Sequence, residues 1–72
     1  STTIAYQLPK ASMVSLKIFN TLGQLVVMLL EERREAGSFQ ARWNASDVPS
    51  GVYFYRLQAG EFVQSKKSIL VK

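Results

Sequence analysis

Pro49-Ser50-Gly51-Val52-Tyr53-Phe54-Tyr55-Arg56-Leu57 carries the strongest structural signal in the sequence. A Pro/Ser/Gly break runs into a dense series of β-branched and aromatic residues, the pattern of a turn feeding a strand. Side chains alternate across a strand, so Val52 and Phe54 point one way and Tyr53, Tyr55 and Leu57 the other. Both faces therefore carry large apolar groups. An edge strand rarely does, so this run is expected to be central, with other strands beside it and across from it. By itself that describes the core of a β-sandwich and says nothing about activity.

Working outward, the flanking segments are also strand-like. Gly37–Trp43 alternates, with Phe39, Ala41 and Trp43 on one face and Ser38, Gln40 and Arg42 on the other. Residues 44–50 form a loop of turn formers in which Val48 plugs a gap. Downstream, Gln58-Ala59-Gly60-Glu61 is a hairpin turn. Residues 62–71 are the last strand, polar in the middle and apolar at Ile69-Leu70-Val71. Toward the start, Thr2–Leu8 places Ile4, Tyr6 and Leu8 on one face. Residues 13–19 turn Val14, Leu16 and Ile18 inward and leave Met13 and Phe19 on an outer face that is expected to be partly covered. Asn20-Thr21-Leu22-Gly23-Gln24 is a turn, with Gly23 at positive φ.

Residues 25–35 allow two readings. Leu22, Leu25, Val26, Leu29, Leu30 and Arg33 have helical spacing, and Gly37 would stop such a helix. As a strand, Leu25-Val26-Val27-Met28-Leu29-Leu30 is a continuous apolar run, and periodicity cannot arbitrate a run this short. Every neighbouring segment is a strand, which favours a strand here too. Residues 31–36 would then be a charged connector, with room for one helical turn. Six or seven short strands with turns at this spacing predict an all-β fold, a small antiparallel immunoglobulin-like sandwich forming one domain over residues 1–72.

Composition narrows the function. At 72 residues the chain buries only about 60% of its unfolded surface, which leaves a thin stability margin. It has neither cysteine nor histidine, so disulfides, thiolate metal sites and the commonest general base and metal ligand are all absent. Of its five carboxylates, Glu31, Glu32 and Glu35 sit in one charged run. Glu61 sits in a turn and Asp47 in a loop. An enzyme is not expected, and no cofactor is implied. The net charge is +4, but the cations are spread along the chain rather than gathered in a stripe with exposed aromatics, as nucleic-acid binding would need. No segment is long and apolar enough to span a membrane as a helix, and no signal peptide is visible. The sequence opens in a strand at Ser1-Thr2-Thr3, as an excised domain would.

Three groups of residues invite functional readings. Asn44-Ala45-Ser46 matches a glycosylation sequon, although Asn44, Ser46 and Asp47 more simply bond nearby backbone and shape the loop. Tyr6, Trp43, Tyr53 and Tyr55 could form a sugar-stacking platform. Against this, Tyr53 and Trp43 occupy inward positions, and only Tyr55 is a candidate for exposure. Lys66, Lys67 and Lys72 surround the last strand. They would either protect an edge from unwanted pairing or receive a partner by charge and strand addition.

The chain resembles the C-terminal sorting domain of the bacterial type IX secretion system and the related immunoglobulin-like domain of the flagellar hook-capping family. Four stretches carry the resemblance: Ser1-Thr2-Thr3-Ile4-Ala5-Tyr6-Gln7-Leu8-Pro9; Val14-Ser15-Leu16-Lys17-Ile18-Phe19 with its Asn20-Thr21-Leu22-Gly23-Gln24 turn; Trp43-Asn44-Ala45-Ser46 leading to Gly51-Val52-Tyr53 and Leu57; and Lys66-Lys67-Ser68-Ile69-Leu70-Val71-Lys72. They cover nearly the whole chain in the family's order. The family's usual Asn-Pro segment upstream of Thr2 is not in this sequence.

The resemblance implies a seven-stranded sandwich, without catalytic activity, at the end of a larger precursor with an N-terminal cargo. It implies recognition by the type IX machinery after export to the periplasm, removal by a sortase-like peptidase, and cargo delivered to the cell surface or secreted. Gly51, Tyr53 and Leu57 match the family's G-x-Y-x-x-x-L positions. Gly23 matches its turn glycine, and Lys67 and Lys72 match its terminal basic residues. The sorting motif expected to meet the machinery is thus Gly51, Tyr53, Leu57, Lys66, Lys67 and Lys72. The resemblance also favours a strand over residues 25–30. Two other functions remain open, a structural accessory module of an extracellular enzyme and a carbohydrate-binding module. A homodimer through edge strands is a further expectation.

Overall fold

The computed structural model describes residues 2–46 and 48–71. Within them the chain forms β1 (Thr2–Leu8), β2 (Ser12–Phe19), β3 (Leu25–Arg34), β4 (Gly37–Trp43), β5 (Gly51–Ala59) and β6 (Phe62–Leu70). The fold is all-β, as the alternation predicts. β1 and β4 pair in a two-stranded sheet, and the other strands form a four-stranded sheet in the order β3-β2-β5-β6. All pairings are antiparallel. The shortest molecular dimension is 16 Å, which suits two sheets stacked about 10 Å apart.

The decisive stretch is β5, and it is an interior strand, paired on one side with β2 and on the other with β6. Its inward residues Tyr53, Leu57 and Ala59 are buried, and Tyr55 is half-buried. In β2, Val14, Leu16 and Ile18 lie opposite Ala59, Leu57 and Tyr55 and are the innermost side chains of the sheet. From the other sheet, Ile4, Tyr6 and Leu8 of β1 and Trp43 of β4 close the core. Each fully buried side chain of this size contributes about 1.5–3 kcal/mol relative to exposure.

β3 is a strand, and it explains its own ambiguity. Its pairing with β2 shifts register twice, between Leu16 and Lys17 and between Ile18 and Phe19, so Leu29 and Val26 are left without a partner in the ladder. Each bulge inserts one residue and resets the alternation. Val26 with Val27, and Leu29 with Leu30, then both pack against the core as adjacent pairs. Two bulges in six residues turn a period of two into spacings of three and four, which a sequence reader sees as helical. The expected connector over residues 31–36 is corrected: β3 runs through Arg34, and only Glu35 and Ala36 link it to β4. The strand continues because Glu31 and Glu32 still pair with Ser15 and Val14 of β2. Of the two outer-face residues expected to be partly covered, Phe19 is, whereas Met13 is 59% exposed.

Candidate functional site

The turn between β2 and β3 is closed by Asn20, through both its backbone and its side chain. The Asn20 amide oxygen accepts hydrogen bonds from the backbone N–H groups of Leu22 (2.9 Å) and Gln24 (3.0 Å). Its amide nitrogen donates to Gln24 Oε1 at 2.9 Å. Gly23 has φ +80, a conformation that costs L-residues roughly 1–2 kcal/mol. The Asn-x-x-Gly-Gln pattern is therefore a turn-closing device, with each of its three residues in a distinct role.

The Gly51-Tyr53-Leu57 motif has a similar structural logic. Gly51 opens β5 with φ +151. Nothing lies within 4 Å of a Cβ added there, so backbone conformation rather than space demands the glycine. The Tyr53 ring meets Trp43 of the opposite sheet edge-on, with centroids 5.3 Å apart and planes at 78°, a favourable aromatic geometry. Its hydroxyl donates to the Pro49 carbonyl at 2.7 Å. One side chain thereby ties the start of β5 to its preceding loop and to the facing sheet. Leu57, 1% exposed, packs opposite Leu16 at the centre of the core.

The lysines are placed differently. Among the described residues β6 pairs only with β5, and its other edge carries no strand. Lys66 and Lys67 are both exposed. Lys66, opposite Tyr55, is on the inner side of the sheet; Lys67, opposite Phe54, is on the outer side. Lys66 also lines an open cleft of about 1030 Å³ between β6 and the two-stranded sheet, together with Tyr6, Leu8, Phe39, Phe62 and Gln64. The cleft exists because a two-stranded layer cannot cover a four-stranded one. Lys72 lies outside the described residues. The six expected motif residues thus divide by location: Tyr53 and Leu57 are inside, Gly51 is at a strand entrance, and Lys66 and Lys67 are on the free edge strand.

The other candidates resolve into structure. Asn44 Oδ1 accepts from the Ser46 backbone N–H at 3.2 Å, a local turn of the expected kind, while Asp47 lies outside the described residues. Ala45, which sequence reading passed over, is buried, and Val48 is half-buried under the loop as expected. Tyr6, Trp43 and Tyr53 are buried and Tyr55 is half-buried, so the four rings form no exposed platform. Tyr6 stacks on Phe39 at 5.6 Å, and the Arg34 guanidinium sits over the other ring at 5.3 Å. Arg34 also pairs with Glu32. Burial raises the Tyr6 phenol above its ordinary value; Arg34 opposes this and Glu32 adds to it. Among the described residues no three carboxylates cluster as a metal site would need.

Comparison with known proteins finds one match. A family model described as secretion system C-terminal sorting domain aligns with residues 1–72. The chain belongs to this family of sorting domains. Its members are sorting signals of type IX secretion, non-catalytic in general, carried by proteins exported to the cell surface or extracellular space. No curated protein and no solved structure matches the chain. For a sorting domain, the geometry above is that of a stable two-layered body presenting one basic edge strand.

Proposed function

We propose that this sorting domain is read through β6, whose free edge and lysines Lys66, Lys67 and Lys72 dock to the type IX machinery by charge and strand addition. The observation that carries the reading is the position of β6: a strand at the sheet edge, with no strand beside it on one side among the described residues and adjacent cations facing opposite ways. Gly51, Tyr53 and Leu57 serve the same function indirectly, because they hold β5, and β5 is the strand on which β6 is paired. An N-terminal cargo and a sortase-like peptidase complete this reading.

The test fuses the domain to a secreted reporter in a type IX-competent bacterium. The double variant Lys66→Glu/Lys67→Glu is expected to block surface delivery while leaving the thermal midpoint of the purified domain within a few degrees of the parent. Deleting residues 67–72 should also block delivery, but it removes the buried Leu70 and so adds a stability defect. Normal surface delivery of the double variant rules out docking through these lysines. Normal delivery with a destabilised reporter after removal of the whole domain favours the accessory-module role instead.

A further inference from the structure

We propose that the outer face of the four-stranded sheet is a second docking surface, and that it takes an extended acidic polypeptide segment whose every second residue, the set that shares one face, is by turns a carboxylate and an apolar side chain. This inference does not rest on docking through the β6 edge. The register places Lys17 of β2 directly opposite Arg56 of β5. These are the two interior strands of the sheet. Like charges at opposed positions destabilise a strand pair. No ion pair holds either cation among the described residues, where the recorded pair is Arg34 with Glu32. One row further along the same face, Phe19 lies opposite Phe54, and Phe54 lies opposite Lys67. The Arg56 guanidinium sits 5.3 Å from the Phe19 centroid.

Apolar side chains that have no core to face surround this cationic row. Leu25 is 56% exposed, Met28 44%, Phe54 39% and Ile69 65%. Their positions opposite Phe19, Lys17, Lys67 and Val52 put all of them on this face. An open cavity of about 420 Å³ lies among Phe19, Phe54, Arg56, Ser65 and Thr21. It offers two rings, a guanidinium and hydroxyls to a single inserted side chain. Glu31, opposite Ser15, is the carboxylate on this face, one row beyond the cations.

Charge complementarity selects the occupant. A second copy would bring the same cations to the same face and repel. A bilayer separates its anionic headgroups from its acyl chains by depth, whereas the register sets Lys17, Arg56, Phe54 and Leu25 side by side on one sheet face. An extended polypeptide patterned in this way presents its carboxylates and apolar groups about 7 Å apart on one side, and its carboxylates would relieve the Lys17–Arg56 repulsion.

The test titrates the isotope-labelled chain with a synthetic peptide repeating Glu-Ser-Leu-Ser, which puts glutamate and leucine on one face of an extended chain, then with the same peptide carrying lysine for glutamate. The acidic peptide is expected to shift the amide resonances of Phe19, Phe54 and Arg56, and to bind more weakly as salt is raised. Lys17→Glu, which leaves Lys66 and Lys67 untouched, should weaken binding roughly tenfold yet raise the thermal midpoint of the free chain by about 3 °C, because it places opposite charges across the strands. Arg56→Gln should also weaken binding with an unchanged circular dichroism spectrum. The proposal is overturned by shifts confined to the β6 edge or the inter-sheet cleft, by no binding of the acidic peptide, by tighter binding to phosphatidylglycerol vesicles or a nucleic acid than to the peptide, or by a lower midpoint for Lys17→Glu.

Discussion

At the scale of single residues, the family motif is mostly a set of structural devices. Tyr53→Phe keeps the ring against Trp43 and loses the bond to the Pro49 carbonyl, so urea denaturation should register a loss of about 0.5–1.5 kcal/mol. Tyr53→Ala loses the ring too and should cost about 3–5 kcal/mol. Equal losses for the two variants would remove the inter-sheet role of the ring. Tyr6 supplies a pH signature. Its phenol is raised in the folded chain, so folding favours the neutral form. That contribution is present below the ordinary value of 10.0 and is lost as pH climbs through the raised value. Alkaline unfolding followed by circular dichroism should therefore be shallower above pH 10 in Tyr6→Phe than in the parent. Sequence reading identified Tyr53, Trp43 and Gly23 correctly because each carries a local signal: an inward position in an alternating strand, or a glycine in a turn. It missed buried Ala45, since a small residue in an irregular loop has no period to betray it.

At the scale of elements, β3 shows how a local pattern can mislead. Its helical spacing arises from two bulges, and bulges are set by the partner strand rather than by the residues that form them. Deleting Leu29 takes out the unpaired residue, so Leu30 and Met28 would follow one another opposite Leu16 and Lys17 and Val27 would stay opposite Ile18; the amide spectrum should keep its dispersion. Leu29→Ala keeps the register and trims a half-buried side chain, so it should cost only about 1 kcal/mol. A collapsed amide spectrum for the deletion, beside a mild substitution, would show that the ladder pairs alone do not hold the strand. The β2–β3 turn makes a parallel point. Asn20→Ala strips the acceptor for two backbone N–H groups and should weaken the hairpin by about 1–2 kcal/mol.

At the scale of the whole molecule, stability and export should separate. A chain of 72 residues has a total stability of about 4–11 kcal/mol. Leu57→Ala, in the densest part of the core, should remove about 2–5 kcal/mol of it, measured by thermal melting, and impair export by unfolding the signal. Lys66→Glu/Lys67→Glu should impair export in a domain that still melts normally. What the sequence determined alone was local. Outside residues 25–36 it specified which segments are strands and which face of each is apolar, and it showed where the β2–β3 turn needs glycine and that the inventory for catalysis is poor, because alternation and turn chemistry act between near neighbours. The tertiary structure alone decided the division into sheets of two and four strands, the bulges that make β3 a strand, the edge position of β6 and the opposition of Lys17 to Arg56. Each of these depends on which distant segments pair and in what register. That choice belongs to the packed core as a whole, and no short window of residues contains it.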